Sequence, residues 1–475
     1  MSQGTHPVRT RFAPSPTGSM HLGNLRIAAF NHLFARRHGG RFVIRIEDTD
    51  LERHEEEAVE GILEDLRWAR LEWDEGPDVG GAFGPYRQSL RENFHREAAL
   101  GLEEEGKVYA CFCPDSAVRE GRMGGGCPGG CRELSREEAR ARIQGGEARA
   151  LRFPVPQEQI SIQDEVRGDI VFDGRDMADF IILRADGRPT YNFAVVVDDV
   201  GMKITHVIRG AGHLSNTPKQ ALLFDALGAP RPVFAHLPTV LGPDGTKLSK
   251  RRGAPGVDRL RSEGYHPDGV VNYLSLLGWS PGDDREVMTR AELVEAISLE
   301  RVGASDTMYD PEKLLWMSGR HLALMPLEEL AEAVQPYLDR ARFSLEGPAL
   351  IGAMEAIRTR LTTLGEVNDH LPLLLPDDEA LAAGLRELEG DEGAGAVLRE
   401  VRSALEELES WTGDQAAGAV REAGTRAGAK GKGLFHPVRL ALTGSRSGPE
   451  LGKIMEIQGR ERVLARLRRG EEACS

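Results

Sequence analysis

The sequence lacks the long apolar runs that membrane spans require, because no stretch reaches about 18 consecutive apolar residues. The first six residues contain no apolar signal-peptide core. Aromatic residues make up only 6% of the chain, and there are only five cysteines. Hydrophobic and charged contents of 40% and 28% predict a globular protein with a sizeable core. We therefore expect a cytoplasmic protein without membrane contact, and nothing in the sequence demands more than a monomer.

Net positive charge is also lacking. The chain has 60 basic and 75 acidic residues, a formal net charge of −15, and over the whole surface this argues against nucleic-acid binding. Binding needs only a local patch, however, and residues 426–469 hold eleven Lys or Arg against three Glu. Two interpretations stay open for this segment, a solvated helical face and a contact surface for one polyanion.

The N-terminal pattern predicts a β-α-β unit, with a strand over residues 8–13, a helix over 25–38 and a strand over 41–46. The loop between the first two elements contains two prolines and a glycine. Such a unit is the usual start of a nucleotide-binding sheet.

Further along, the pattern predicts, in order, a helix over 51–73, two strands around a turn within 179–200, a strand over 205–209, a helix over 218–227 and an extended segment over 233–241. From about residue 324 the sequence is rich in Leu, Ala, Glu and Arg and has almost no strand signal. The acidic, Gly-rich residues 376–395 are a plausible break between two helical subdomains.

Two short signatures are suited to nucleotide phosphates. His21 directly precedes the first helix, where it can donate to a phosphoryl oxygen, and Gly23 lets a base or ribose approach the backbone. Lys247, Ser249 and Lys250 stand on a loop suited to closing over a triphosphate. Alone, each signature is weak, since a surface histidine and a solvated basic loop are commoner fates.

In their order and context, the two signatures resemble those of bacterial-type glutamyl-tRNA synthetases, which are class I aminoacyl-tRNA synthetases. RFAPSPTG at residues 11–18, followed by HLG at 21–23, resembles that family's HIGH motif, and KLSKR at 247–251 resembles its KMSKS loop. Between and after them stand RIEDTD (45–50), PTYNF (189–193), THVIRG (205–210), LERV (299–302) and KLLWM (313–317). The resemblance covers roughly residues 8–322, with a looser helical match to the end.

The resemblance implies an α/β fold: a Rossmann-type catalytic domain with an inserted acceptor-binding α+β domain, then an all-α anticodon-binding region. The implied boundaries are 1–95 for the first half of the catalytic domain, 96–200 for the insertion with the cysteines, 201–323 for the second half with the KMSKS and stem-contact region, and 324–375 and 376–475 for two helical anticodon-binding subdomains. In the helical part, Arg358, Arg360, Phe435 and His436 are candidates for base contact.

The implied activity is that of a glutamate–tRNA ligase, with ATP, L-glutamate and tRNA(Glu) as partners and Mg²⁺ accompanying ATP. The implied catalytic residues are His21, Lys247 and Lys250. The implied ATP-binding residues are Ser19, His21, Gly23, Asn24, Lys247, Ser249 and Lys250. The implied glutamate-binding residues are Arg11, Ala13, Ser15, Glu47, Tyr191 and Arg209. Their chemistry fits, because guanidinium groups bind carboxylates in a planar fork and Glu47 is suited to accept from the substrate ammonium.

The sequence departs from the family's pattern in its active-site motifs. Asn24 occupies the last position of the HIGH motif. Ala211 and Gly212 stand where relatives commonly carry acidic residues. The second departure puts in doubt any acidic contact there to ATP or to the tRNA end.

Four of the five cysteines cluster as Cys111-x-Cys113 and Cys127-x3-Cys131. Four thiolates in close pairs suit one structural Zn²⁺, and some members of the resembled family carry zinc at the corresponding place. The alternative is four reduced thiols in a glycine-rich loop. Cys474 lies far from this cluster and is not expected to join it.

Four other functions are alternatives to the leading one. A glutaminyl-tRNA synthetase would have a β-barrel C-terminal part, whereas this part is helical in pattern. A truncated relative that glutamylates a tRNA base would lack the C-terminal half. A small-molecule nucleotidyltransferase would need no helical tail. A synthetase-like tRNA-binding paralogue without activity would not need His21, Lys247, Lys250, Arg11 and Glu47.

Overall fold

The structure is a computed structural model that describes residues 7–16, 18, 20–49, 56–113, 127, 129–248 and 255–475. The chain divides into two compact units. The first comprises Met1–Arg259 and Val271–Asp310, and the second comprises Leu260–Val270 and Pro311–Ser475.

The first unit contains a six-stranded sheet with the order β2-β1-β8-β9-β5-β6. Its strands are β1 (Arg9–Phe12), β2 (Arg41–Ile44), β5 (Gln159–Asp164), β6 (Gly168–Asp173), β8 (His206–Gly210) and β9 (Val233–Leu237). All neighbouring pairs are parallel except β5 and β6, which form an antiparallel hairpin. The carboxyl ends of the parallel strands therefore meet at one edge, where ligands bind in open α/β sheets.

Two smaller sheets complete the strands of this unit. One has the order β3-β4-β7 and consists of β3 (Tyr109–Cys111), β4 (Ala150–Phe153) and β7 (Phe180–Leu183), paired antiparallel. The other pairs β10 (Val240–Leu241) with β11 (Thr307–Met308) in parallel.

Among the described residues up to 310, the α-helices are α1 (Leu22–Arg37), α2 (Glu56–Trp68), α3 (Glu92–Glu104), α4 (Arg136–Gln144), α5 (Tyr191–Gly201), α6 (Thr217–Ala226), α7 (Val257–Glu263), α8 (Pro267–Leu276) and α9 (Arg290–Ala296). The β1-α1-β2 unit confirms the predicted N-terminal motif. All four residues of β1 are buried, and α1 buries most of its length because it crosses over the parallel pair.

One predicted element is wrong. The second strand expected within residues 179–200 is α5, which begins after Thr190. The valine-rich run favours a strand by propensity, but residues 193–199 are buried on successive positions, and a helix surrounded by the core accommodates that pattern.

The second unit is helical, and no strand follows Met308 in residues 309–475, all of which are described. Its helices are α10 (Pro311–Leu324), α11 (Leu327–Val334), α12 (Gly347–Ile357), α13 (Val367–His370), α14 (Asp378–Leu388), α15 (Glu392–Glu406), α16 (Gly413–Arg426), α17 (Lys432–Thr443), α18 (Leu451–Gln458) and α19 (Arg460–Ala473). One apolar core runs from Leu322 to Cys474. The parallel-sheet unit and the helical C-terminal region confirm the predicted fold class.

The division of the chain into five segments remains a prediction. Residues 376–395 contain α14 and the start of α15. Strands β5 and β6, from within residues 96–200, belong to the six-stranded sheet. Among the described helices, none combines the length and apolarity that crossing a membrane requires.

Candidate active site

A cleft of about 580 Å³ lies at the carboxyl edge of the six-stranded sheet. The predicted site residues that line it are Arg11, Ala13, Ser15, His21, Gly23, Asn24, Glu47, Tyr191, Arg209 and Lys247. Ser19, Ser249 and Lys250 lie outside the described residues. The structure thus brings both signatures and the predicted amino-acid pocket into one cavity, while the role of each residue remains a prediction.

His21 caps the first turn of α1. Its Nδ1 accepts a hydrogen bond from the Asn24 backbone N–H at 3.1 Å, so a neutral ring carries its proton on Nε2. A Cβ at Gly23 would stand 3.0 Å from the His21 ring. Glycine at this position therefore also leaves room for the imidazole, beyond its expected role of admitting a base or ribose.

The second signature reaches the same place. Lys247 pairs with Leu241 of β10 in an isolated bridge, and Arg26 of α1 donates to the Pro238 carbonyl at 2.7 Å just before that strand. The chain is next described at residue 255, and Gly256 bridges to His21. The described residues on either side of this stretch therefore include Lys247, which lines the cleft, and Gly256, which pairs with the residue that caps α1.

A buried charge network lies beneath the predicted amino-acid pocket. Asp199 of α5 accepts from Arg45 Nη1 at 2.6 Å and from Arg11 Nε at 3.3 Å. Arg45 Nη2 also donates to Glu47 at 3.2 Å. Burial raises the pKa of Glu47, against the opposing effect of Arg45 and Arg11. Arg11 and Arg45 thus have carboxylate partners within the protein.

Arg209 of β8 is bound differently. Its Nε donates to His236 Nε2 at 3.0 Å, Nη1 to Gln220 Oε1 at 2.7 Å and Nη2 to Thr217 Oγ1 at 2.9 Å. In these hydrogen bonds all three acceptors are uncharged groups. Burial and the nearby Arg11 charge lower the pKa of Arg209 to about 10, so the guanidinium lies in an environment that favours an anion.

Tyr191 stands at the start of α5, with its hydroxyl 3.4 Å from His213 Nδ1. Burial and the Glu47 charge raise the pKa of Tyr191 to about 12, so the phenol stays protonated near neutral pH. Burial and the neighbouring Arg209 and Arg11 charges lower the pKa of His213 to about 4. Both groups are neutral hydrogen-bonding groups at pH 7.

The departure at Ala211 and Gly212 lies inside the cleft. A Cβ added at Gly212 would stand 3.8 Å from Lys247 Nζ. An acidic side chain at residue 212 would therefore lie next to the Lys247 ammonium. In this protein residue 212 is glycine and offers Lys247 no carboxylate.

The four clustered cysteines form one compact set in the first unit. Their sulfurs all lie within 4.8 Å of one another, with contacts of 3.7 Å between Cys111 and Cys127, 3.6 Å between Cys113 and Cys127 and 3.7 Å between Cys113 and Cys131. All are free thiols. A tetrahedron with metal–sulfur bonds of about 2.3 Å has edges of about 3.8 Å, so the spacing fits one zinc ion.

Two further observations bear on this cluster. A Cβ at Gly129 would stand 2.8 Å from Cys113 Sγ, so the closure of the loop requires glycine there. Burial opposes ionisation of Cys127, but hydrogen bonds from the Cys131 backbone and from the other thiols lower its pKa to about 7, whereas burial raises the pKa of Cys111 and of Cys113. Without a metal, the first thiolate of the cluster therefore forms on Cys127, and a thiolate is the state that binds a metal.

In the helical unit, ion pairs occupy part of the basic segment at residues 426–469, with Arg426 on Glu400, Arg446 on Glu387 and Lys453 on Glu355. Arg439 lines a second cavity of about 370 Å³ together with Phe435. The predicted helix around residue 358 ends at Ile357, and residues 358–360 form a 3₁₀ turn.

Sequence reasoning missed several residues that shape the cleft. Arg45 was part of the RIEDTD motif that carries the resemblance and Asp199 follows the PTYNF motif, but neither was assigned a role. The significance of His236 and His213 comes from contacts with residues distant in sequence. The available clue for His236 was its place in the apolar run of β9, which is buried from Phe234 to Leu237, since a buried histidine requires hydrogen-bond partners.

Comparisons with known proteins agree with this architecture. The family model described as "tRNA synthetases class I (E and Q), catalytic domain" matches residues 7–316, and the model described as "Anticodon binding domain" matches residues 329–471. A glutamate–tRNA ligase from Carboxydothermus hydrogenoformans is 42% identical over 95% of this chain and 97% of its own length. One from Desulforudis audaxviator is 43% identical over 97% of this chain and 96% of its own.

Solved structures give the same result. The crystal structure of a glutamate tRNA ligase from Elizabethkingia meningosepticum, in complex with its amino acid, superposes with a TM-score of 0.83 at 28% identity and covers 99% of this chain and 100% of that one. A glutamate-tRNA synthetase from Elizabethkingia anophelis gives a TM-score of 0.81 at 28% identity and covers 98% of this chain and 100% of that one. The chain therefore belongs to the class I tRNA synthetases for glutamate and glutamine, and within them to the glutamate–tRNA ligase family.

Proposed function

We propose that this protein is a glutamate–tRNA ligase. It activates L-glutamate with ATP to glutamyl-adenylate and transfers the glutamyl group to the 3′-terminal adenosine of tRNA(Glu), releasing AMP and diphosphate. The observation that carries the proposal is the single cleft in which the His21 and Lys247 signatures meet Arg11, Glu47 and Arg209. A cytoplasmic, monomeric enzyme fits this activity.

In the first half-reaction, a glutamate carboxylate oxygen attacks the α-phosphorus of ATP and diphosphate leaves. Negative charge moves onto the phosphoryl oxygens, so donors fixed beside them lower the barrier. His21, with its Nδ1 used by the Asn24 backbone, offers Nε2–H for this purpose. Lys247 and Lys250 neutralise the leaving diphosphate, and Mg²⁺ bound with ATP would neutralise further phosphate charge. Ser19, Gly23, Asn24 and Ser249 complete the proposed ATP contacts.

The amino acid occupies the other end of the cleft. Arg11 and Arg209 anchor its carboxylates, and Glu47 accepts from its ammonium group. Ala13, Ser15 and Tyr191 complete the wall. Because Tyr191 stays protonated, its hydroxyl serves as a hydrogen-bond donor to the substrate.

The helical unit would contact the tRNA. In the second cavity, Phe435 offers a stacking surface, and Arg439 Nη1 is buried with no hydrogen-bond partner among the described residues. Burial and the nearby Arg360 lower the pKa of Arg439. Such a guanidinium favours a nucleotide phosphate or base edge.

Cys111, Cys113, Cys127 and Cys131 would hold one structural Zn²⁺. We expect protein purified without chelator to contain about one zinc per chain by plasma mass spectrometry, because four thiolates saturate a tetrahedral site. Cys113→Ser should remove most of the metal. Cys474→Ser, at a buried cysteine outside the cluster, is the matched control and should keep it. Zinc well below one per chain in the unaltered protein would end this part of the proposal.

The activity itself is tested by charging. Full-length protein, glutamate, ATP and tRNA(Glu) should give glutamyl-tRNA with release of AMP, whereas glutamine in place of glutamate should not. Absence of charged tRNA would refute the proposal. ATP turnover with a small acceptor in place of tRNA would instead favour a nucleotidyltransferase, and tRNA binding without charging would favour an inactive paralogue. A parallel reaction with tRNA(Gln) reports whether this enzyme also misacylates that tRNA.

A further inference from the structure

Arg209 is held in the cleft by uncharged acceptors on every nitrogen. His236, Gln220 and Thr217 each accept one hydrogen bond, at 3.0, 2.7 and 2.9 Å. All four side chains are buried. Burying a guanidinium without a carboxylate partner costs free energy, so this arrangement calls for an explanation beyond folding.

Arg11 and Arg45, in the same cleft wall, show the contrast. Asp199 accepts from both, and Glu47 accepts from Arg45. Both cations therefore have a carboxylate partner within the protein before any substrate arrives, although Arg11 reaches Asp199 through Nε alone, at 3.3 Å. The charge of Arg209 is oriented by neutral groups but is not neutralised by them.

The hydrogen bonds also fix the protonation state of His236. Because Arg209 Nε can only donate, His236 Nε2 must accept, and its ring proton is then on Nδ1. Nδ1 lies 2.5 Å from Asp164 Oδ2, which accepts that proton's hydrogen bond. The Asp164 carboxylate is itself held by the backbone N–H groups of Val166 and Arg167 at 3.0 Å.

Gln220 is oriented in a similar way. Its Nε2 donates to Asn192 Oδ1 at 3.1 Å, which turns Oε1 toward Arg209. A guanidinium has five N–H groups, and the cradle of His236, Gln220 and Thr217 uses three. One N–H on each Nη remains for a carboxylate of the substrate.

We propose that Asp164, His236 and Gln220 are positioning residues that hold Arg209 in a neutral cradle, so that its full charge is kept for a carboxylate of the amino-acid substrate. This inference rests on the proposed function. A carboxylate placed directly on Arg209 would compete with the substrate. Asp164 instead influences Arg209 indirectly, by fixing the tautomer of His236.

Gln220→Glu is the sharpest test, since it places a carboxylate on Arg209 Nη1 with almost no change of shape, and the Asn192 amide can rotate to donate to it. We expect glutamate binding to weaken about 10- to 100-fold, the scale of one hydrogen bond to a charged group. The KM for ATP should stay within about threefold, and the melting temperature should be unchanged or higher because a buried cation gains a partner. Unchanged glutamate affinity would overturn the proposal, since a purely structural role predicts a stabler protein with normal substrate binding.

A matched pair at His236 gives a second, independent test. His236→Gln can keep an acceptor near the position of Nε2, whereas His236→Asn is too short to do so. We expect the glutamine variant to stay within about threefold of the unaltered enzyme in glutamate affinity and the asparagine variant to lose about tenfold or more. Equal affinities in the two variants would contradict the proposed role of His236. If either variant fails to fold, Gln220→Glu decides alone.

Glutamate affinity is best measured by isothermal titration calorimetry on the full chain, in parallel with KM from tRNA charging. Titration needs no turnover, so a failure of the cradle proposal can be distinguished from a failure of the proposed ligase activity. Glutamate binding that depends on residue 220, without any charging of tRNA(Glu), would refute the ligase activity and keep the cradle. If the Gln220→Glu variant charges tRNA(Glu) with an unchanged KM for glutamate, the cradle is refuted and the ligase activity stands.

Discussion

Replacing Lys250 with alanine is expected to lower kcat for tRNA charging by about 10²-fold or more, the usual scale for losing a charged contact to a transition state. Lys250 lies outside the described residues, so the expectation rests on its neighbours. Lys247 lines the cleft, and Gly256 pairs with His21 in an isolated β-bridge. Initial rates of glutamyl-tRNA formation at saturating ATP and glutamate measure the effect.

The control is Lys203→Ala, which removes a lysine of the same unit that lies over the Phe83 ring and does not line the cleft. Its kcat should match that of the unaltered enzyme. Lys247→Ala should resemble Lys250→Ala, with a rise in the KM for ATP as well, because Lys247 is proposed to contact the same phosphates. A near-normal rate for Lys250→Ala would mean that the second signature takes no part in catalysis.

Replacing Asp199 with alanine is expected to destabilise the first unit by about 3–5 kcal/mol, the cost of removing one partner from a buried ion pair. Asp199 joins Arg11 and Arg45, and the Arg45 side chain is 0% exposed. Without Asp199, Arg11 loses the carboxylate to which it donates, and Arg45 keeps Glu47 as its hydrogen-bonded carboxylate among the described residues. Differential scanning calorimetry measures the loss. The melting temperature of the first unit should fall, while that of the helical unit should stay unchanged.

Asp173→Ala provides the comparison. Asp173 pairs with Arg175 at the surface, with distances as short as 2.6 Å. Exposed pairs contribute little because water screens them and side-chain entropy opposes them. Asp173 also caps a 3₁₀ turn by accepting from the Arg175 backbone N–H at 2.9 Å, so this variant should lose no more than the modest contribution of one cap, far less than the Asp199 variant. Equal melting temperatures for the Asp199 and Asp173 variants would show that the buried network is not needed for stability.

Local sequence was enough to predict β1, α1 and β2, because turn residues and helix-end charges mark their limits there. It was misleading at α5. Val195, Val196 and Val197 are β-branched and follow a correctly predicted turn, so a strand was the natural interpretation. What decides the helix is tertiary: the buried Asp198 accepts from Gln88 and Arg91 at 2.8 and 2.6 Å, contacts that no local pattern reveals.

The same limit applies to the cleft. Arg11, Glu47 and Arg209 were predicted because they stand in recognisable motifs at strand ends. Asp164 and His236 were not, because they are 72 residues apart and their chemistry arises only when β5 joins β9. The cysteines were predicted as a set from spacing alone, and their sulfurs do converge. A site whose residues are close in sequence can be predicted from the sequence, whereas a site assembled from distant strands of a sheet cannot.

The β5-β6 hairpin has a consequence for chimeric enzymes. Its strand β5 ends in Asp164 and pairs with β9, although it is contributed by a segment that resemblance places in the insertion. Exchanging residues 96–200 between relatives would therefore transplant one member of a hydrogen-bonded pair and leave His236 behind. Grafts that keep residues 159–173 with the host should keep Asp164 together with His236, and grafts that also keep residues 191–199 should retain Tyr191, Asn192 and Asp199 in their present contacts.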